Sequence, residues 1–121
     1  MNITIKATGC ELSEATREFV EGKLGALRKH TGAHADTALL ACEVEESIGV
    51  VRAGARYRAG ATLSVDGRIF RGEAVSETLE GAVDLVRDEL IREVAKVRGK
   101  QRSLLKRGGA RIKRLFWGNR G

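Results

Sequence analysis

Apolar and polar residues alternate with a period of two at the start of the chain. In Asn2 to Thr8, Ile3 and Ile5 fall on one face and Thr4 and Lys6 on the other, the pattern of a half-buried strand. The period then lengthens. Ala15, Phe19, Val20, Leu24 and Leu27 recur at helical spacing, opposite Glu14, Arg17, Glu18, Glu21 and Arg28. This predicts an amphipathic helix from about Glu14 to Lys29. Ser13 suits its N-cap, Glu14 puts negative charge in its first turn, and Gly32 follows as a stop. Gly22 and Gly25 within it each weaken it by up to about 1 kcal/mol relative to Ala.

A period of two returns from Thr37 to Glu46, with Ala38, Leu40, Cys42 and Val44 on the apolar face. Ser47 to Ala55 has no sustained period and contains Gly49 and Gly54, so it reads as a loop. From Arg56 to Val65 the residues Tyr57, Ala59, Ala61, Leu63 and Val65 point inward, and Arg56, Arg58, Thr62 and Ser64 outward. Asp66-Gly67 is a two-residue hairpin signal, because a type I′ turn needs φ > 0 at both positions. Its register pairs Val65 with Arg68 and Leu63 with Phe70, which adds Phe70, Gly72 and Ala74 to the inner face and Ile69, Arg71 and Glu73 to the outer one. Ser76 or Thr78 then caps a last helix from about Leu79 to Val97, with an apolar stripe of Leu79, Ala82, Val83, Val86, Leu90, Val94 and Val97. It can run on to Lys106, before Gly108-Gly109 breaks it.

The order is βαβββα. Two strands flanking a helix are expected to be parallel through a right-handed crossover, and the remaining strands to form an antiparallel meander. Each helix and each strand has one apolar face. The expected fold is α+β: a βαβββα two-layer sandwich, a four-stranded mixed sheet with two helices on one face. The other sheet face is left open to solvent.

Charge changes this picture at one end of the chain. The net charge of +6 over 121 residues is not evenly spread. Residues 100–121 hold Lys100, Arg102, Lys106, Arg107, Arg111, Lys113, Arg114 and Arg120 and no acid. The division expected is a globular domain over 1–100 and a flexible basic tail over 101–121. Such an arm seeks phosphate backbones or anionic surfaces. The plain alternative is a solubility tail, but Leu104, Leu105, Ile112, Leu115, Phe116 and Trp117 are costly decoration for that. No apolar run is long enough for a membrane span and no signal peptide is read, so a cytoplasmic protein is expected. Cys10 and Cys42 lack metal spacing and are expected as reduced thiols.

Catalytic chemistry is sparse. His30 and His34 have a helix end and Gly32 between them, so surface histidines are favoured over a metal site. Neither cysteine has a patterned partner, and no glycine-rich phosphate loop follows a strand. No catalytic residue, metal, cofactor or small-molecule substrate is expected, and the chain reads as a non-enzyme. For nucleic acid, the outer sheet face offers Lys6, Arg56, Arg58 and Arg71 among Thr4, Thr62, Ser64, Glu43, Glu45 and Glu73. Such a mixed face is often only solvated, but neighbouring arginines suit phosphates. It has no aromatic residue, which argues against stacking of single bases. Gly22-Lys23-Leu24-Gly25 matches the G-x-x-G of a KH domain but lies within the helical stripe. The αβββα order also suits a double-stranded-RNA-binding module, yet Glu77, Thr78 and Glu80 stand where its lysines are needed.

Three stretches together resemble a known family. They are NITIKATGCELSEATREFVEGKLGAL, centred on Ser13 to Val20, then GARYRAGATLSVDGRIFRGEA (Gly54 to Ala74) and TLEGAVDLVRDELIREVAKVRGK (Thr78 to Lys100). In the last, Ala82, Val83, Asp84, Asp88, Leu90 and Arg92 carry the similarity. The chain resembles, over about residues 1–100, the ribosome hibernation-promoting factor and ribosome-associated inhibitor A family, also called ribosomal subunit interface proteins. Thr78 stands where that family often has Asp, and Glu80 where an aromatic is common. The resemblance implies a stress factor, monomeric off the ribosome. It would bind ribosomal RNA and neighbouring proteins of the small subunit in the messenger and transfer RNA channel and block translation. Without the second domain of long members, it is not expected to pair ribosomes by that route. The expected RNA contacts are Lys6, Arg56, Arg58 and Arg71 on the sheet, and Arg92, Lys96, Arg98 and Lys100 along the last helix. Arg102, Lys106, Arg107, Arg111, Lys113 and Arg114 follow in the tail. The rival reading is a protein that docks on a membrane surface or a partner through Ile112, Leu115, Phe116 and Trp117.

Overall fold

Four alternating segments become one sheet in the computed structural model, which describes residues 1–46 and 56–108. Strands β1 (Asn2–Thr8), β2 (Leu39–Glu46), β3 (Tyr57–Val65) and β4 (Arg68–Ser76) lie side by side in chain order. β1 is parallel to β2, and the β2–β3 and β3–β4 pairs are antiparallel. The helices are α1 (Glu14–Gly25), α2 (Arg28–Thr31) and α3 (Leu79–Gly108). The two long ones, α1 and α3, pack on the same face of the sheet, giving the expected α+β sandwich. The expected loop Ser47 to Ala55, together with Arg111, Lys113, Arg114, Phe116 and Trp117, lies outside the described residues.

The hairpin forms as its residues require. Asp66 and Gly67 have φ of 49° and 78°, the left-handed pair of a type I′ turn. Val65 faces Arg68 and Leu63 faces Phe70, the register read from the sequence. The inward residues Leu40, Cys42, Val44, Ala59, Ala61, Leu63, Val65 and Phe70 are buried against Val20, Leu24 and Leu27 from the α1 side and Leu79, Val83, Val86, Leu90 and Val94 of α3. Gly72 lets α3 settle closely on β4. A Cβ there would stand 3.3 Å from both the Val86 carbonyl oxygen and Leu90 Cγ.

Three boundaries differ from expectation. The predicted helix to Lys29 is two helices. α1 stops at Gly25, where the amides of Ala26 and Leu27 bond three residues back to Lys23 and Leu24, at 3.4 and 3.0 Å. Two glycines in twelve residues weaken the helix enough for the ladder to tighten and restart as α2. Gly32, with φ of 60°, ends α2 as expected. Second, Thr37 belongs to a 3-10 turn over Gly32–Thr37 rather than to β2. Its hydroxyl donates to the His34 carbonyl at 3.3 Å, a local side-chain bond that favours the turn. Third, α3 runs beyond Val97 to Gly108. It is capped by Thr78, one of the two expected candidates, whose Oγ1 accepts the Gly81 amide at 2.9 Å. It continues for 30 residues, about 45 Å at 1.5 Å per residue.

A candidate nucleic-acid interface

The cross-strand register fixes what the open sheet face presents. Its four rows are Asn2, Leu39, Ser64 and Ile69, then Thr4, Ala41, Thr62 and Arg71, then Lys6, Glu43, Gly60 and Glu73, then Thr8, Glu45, Arg58 and Val75. Three cations (Lys6, Arg58, Arg71) meet three anions (Glu43, Glu45, Glu73), so the face is neutral. Its arginines are also engaged. Arg58 sends Nε and one terminal nitrogen to the same oxygen of Glu73, at 2.8 and 2.6 Å. That hydrogen bond, more than the nearby charge of Glu73, Glu45 and Glu43, holds its guanidinium proton more firmly than usual. Arg71 donates to the Thr62 hydroxyl at 3.3 Å. Arg56, expected to point outward from β3, precedes the strand instead. Its guanidinium turns to Glu46 at 3.1 and 3.3 Å and lies 5.7 Å from the Tyr57 ring. Glu46 occupies a β2 position of inward parity, which draws Arg56 off the open face.

Of the remaining expected contacts, Arg92, Lys96, Arg98, Lys100, Arg102, Lys106 and Arg107 belong to α3, on the other side of the sheet. Charge along this helix inverts. Leu79 to Val94 hold five acids (Glu80, Asp84, Asp88, Glu89, Glu93) and two arginines (Arg87, Arg92), a balance of −3. Ala95 to Gly108 hold six cations (Lys96, Arg98, Lys100, Arg102, Lys106, Arg107) and no acid. A helix favours acids near its start and cations near its end by about 0.3–1 kcal/mol each, but the effect fades within a turn. It accounts for Glu80 and for the last cations, not for six in succession. Arg92 is exposed and has no ion pair among the described residues. Lys96 pairs with Glu93 at 2.9 Å.

Topology gathers this positive charge at one end of the molecule. α3 returns along β4 from Ser76 toward the hairpin, and Glu93, Lys96 and Val97 line a cleft of about 550 Å³ with Gly67, Arg68, Ile69 and Phe70. Residues 98–108 carry the helix on for about 16 Å past this point. The 3-10 turn reaches the same end, since His34 Nε2 lies 3.4 Å from the Asp66 carboxylate in the hairpin. It brings α2 with it, and Arg28 and Lys29 are exposed there. Arg68, Arg28 and Lys29 were not among the residues expected to contact RNA. The signal for Arg68 was in the register, because pairing with inward Val65 places it on the α3 side. For Arg28 and Lys29 the signal was the crossover itself, which returns the chain to the hairpin end. The opposite end carries Glu14 of α1 and Glu80 of α3, each in the first turn of its helix.

No cluster of His, Cys, Asp or Glu suited to a metal occurs among the described residues. Cys42 is buried, and burial, followed by the neighbouring Glu43, pushes its thiol up to about 11. It is therefore a poor nucleophile. No helix among the described residues is long and apolar enough to cross a membrane. The hairpin end gathers Arg28, Lys29, Arg68 and Lys96 at the point where the basic run of α3 begins.

Comparison with known proteins places the chain. The family model described as "Sigma 54 modulation protein / S30EA ribosomal protein" matches residues 3–102. A curated relative, the ribosome hibernation promotion factor of Picosynechococcus sp. (strain ATCC 27264 / PCC 7002 / PR-6), is 26% identical over 100 residues, which are 83% of this chain and 50% of that one. The chain thus spans about half the length of that relative. Two solved structures share the fold. The N-terminal domain of Thermus thermophilus Protein Y aligns with a TM-score of 0.62 at 22% identity, covering 79% of this chain and 98% of that one. A ribosomal subunit interface protein from Coxiella burnetii aligns with a TM-score of 0.64 at 20% identity, covering 82% and 99%.

Proposed function

Because the chain belongs to the sigma 54 modulation protein / S30EA ribosomal protein family, we propose that it is a ribosome hibernation factor. It docks on the small ribosomal subunit in the messenger and transfer RNA channel and blocks translation there. The observation that carries this reading is the charge inversion along α3, which places six cations without an acid at the hairpin end. The folded body fills the channel, and the basic end of α3, joined by Arg28, Lys29 and Arg68, meets ribosomal RNA phosphates. Phosphate contacts position a protein without reading sequence. That matches a surface with helix-borne cations and an open sheet face without an aromatic residue. The sheet arginines contribute less, since Arg58 and Arg56 are already bonded to carboxylates. No catalytic step is involved.

Sedimentation of extracts from starved cells through a sucrose gradient tests the reading, with the protein followed by immunoblot. The protein is expected in small-subunit and whole-ribosome fractions at low salt, and to leave them as salt rises. Its absence from both fractions at low salt overturns the proposal.

A further inference from the structure

β4 closes the sheet on one side. Among the described residues no strand pairs with its outer edge, and its nine residues run against β3 without a bulge. The hairpin decides which of its backbone groups face outward. Val65 and Arg68 flank the two-residue turn and pair directly. They exchange both of their backbone bonds, and bonded pairs recur at every second residue. Arg68, Phe70, Gly72, Ala74 and Ser76 therefore direct their amides and carbonyls to β3, and those of Ile69, Arg71, Glu73 and Val75 point away from it. The same four residues place their side chains on the open face. All four are exposed, Ile69 by 72% and Val75 by 52%. An unpaired edge of this length is a template for another strand, and its side chains say which one. The order apolar, positive, negative, apolar is its own complement when read backwards.

We propose that a second copy of this chain pairs with β4, antiparallel about a two-fold axis at Gly72, and joins the two sheets into a continuous one with four strands from each copy. Outward-facing residues must oppose outward-facing residues, so the register moves only in steps of two. Centred on Gly72, Ile69 meets the partner's Val75 and Arg71 meets the partner's Glu73, and symmetry repeats both contacts. One step either way sets Arg71 against the partner's Arg71, or Glu73 against the partner's Glu73. Opposite charges and apolar pairs across strands are favourable and like charges are not, so the side chains select a single register. Its four outward pairs supply about eight backbone hydrogen bonds. The helical layer admits this arrangement. α3 packs on β3 as well as β4, so its axis stands inside the edge. Strands about 4.8 Å apart then hold the two α3 helices about 8–10 Å apart, the spacing of packed helices. Gly72 lies under Val86 and Leu90, so the antiparallel helices cross the axis between these residues. Lys96 comes level with the partner's Glu80, base beside acid. Glu89 is the exception, since it comes level with the partner's Glu89. The inference describes the free protein, for which the family resemblance implies a monomer, and holds whether or not the ribosome is its partner.

Sedimentation velocity of the full chain, from micromolar to near-millimolar concentration, tests the pairing. It is applied to the native chain, to Arg71→Glu, to Glu73→Arg and to an equal mixture of these two variants, with circular dichroism establishing that each is folded. The native chain is expected to pass from monomer to dimer across the series. Arg71→Glu sets glutamate against glutamate at both symmetric contacts, and Glu73→Arg sets arginine against arginine. Each alone weakens self-association at least about tenfold. The mixture restores opposite charges at both contacts and associates to within about threefold of the native chain. Glu89→Gln removes the like-charge contact at the axis and tightens the dimer about threefold. Thr4→Glu, exposed on the far strand of the same face, leaves it unchanged. A native chain that stays monomeric throughout overturns the proposal. So does self-association that survives both single variants, or a mixture of the folded variants that fails to associate. Self-association lost in Thr4→Glu also overturns it, by assigning the contact to the open face rather than to the edge.

Discussion

The open sheet face and the last third of α3 both carry cations that sequence patterning nominates for RNA, and the fold treats them in opposite ways. On the sheet, every second residue of four strands is brought onto one plane, so Arg58 necessarily finds Glu73 and Glu45 as cross-strand neighbours. On α3, only Lys96 has an acid one turn back, Glu93 at 2.9 Å; Arg98 to Arg107 contain none, and the helix continues about 16 Å beyond the sheet that could have supplied one. A count of cations along the chain does not separate the two regions. What separates them is whether the fold brings anions within reach, and that decides how much charge is left for a partner.

The largest effect is expected where charge is uncompensated. Replacing Arg98, Lys100 and Arg102 together by Glu should lower ribosome affinity at least about a hundredfold at low salt, and reduce the log–log salt slope by about three units. Co-sedimentation across a potassium chloride series measures both. Thermal unfolding should be nearly unchanged, because the core stripe of α3 is complete by Val97. If the triple variant binds like the native chain, the comparison fails at its stronger half. Next in size is Gly72→Ala. The added Cβ meets the Val86 carbonyl and Leu90 at 3.3 Å, so the backbone of α3 must give by a few tenths of an ångström, and overpacking of this kind costs about 1–3 kcal/mol in urea denaturation. Well below the melting temperature, binding should persist, since the basic end of the helix remains intact. A smaller effect is expected from alkali. The folded state holds the Cys42 thiol up to about 11 against an ordinary 9.0, so it binds its proton longer than the unfolded chain does. The stability this represents is complete below pH 9 and is lost as pH rises toward 11. Cys42→Ala should flatten that part of the stability–pH curve.

The fold was legible because its signals are local. Periods of two and 3.6, the Asp66-Gly67 turn and the Ser13 cap each act within a few residues, and together they specify strands, register and the helix-bearing face. The split of α1 was less legible, since its apolar stripe runs unbroken through Leu24 and Leu27 while the glycines beneath it weaken the backbone. The site was legible only in part. Alternation placed Arg58 and Arg71 on the open face, but the carboxylate partner of Arg58 comes from another strand, and its pairing distance is a property of the assembled sheet. Arg28 and Lys29 join the hairpin end only through the 3-10 turn and the contact of His34 with Asp66, which no periodicity announces. The length of α3 was legible as one of two endings, Val97 or Lys106, because Lys and Arg are good helix formers and a basic run reads equally as tail and as helix.

The smallest expected effect tests the neutral half of the comparison. Arg58 and Glu73 are partly exposed, at 30% and 51% of their side chains, and such pairs contribute about 0–1 kcal/mol. Arg58→Gln should therefore shift stability by less than about 1 kcal/mol and ribosome affinity by less than about twofold. The residual weakening comes from the added negative balance of the face. Glu73→Gln is the sharper partner to this variant. It leaves Arg58 without its bonded carboxylate and turns the face net positive. If α3 carries the interface, this too changes affinity by less than about twofold. If the sheet face lies against phosphate, unmasking Arg58 must strengthen binding, and Arg58→Gln must weaken it by nearly a full unit of salt slope. Opposite and sizeable shifts in the two variants would move the interface from the basic end of α3 onto the sheet.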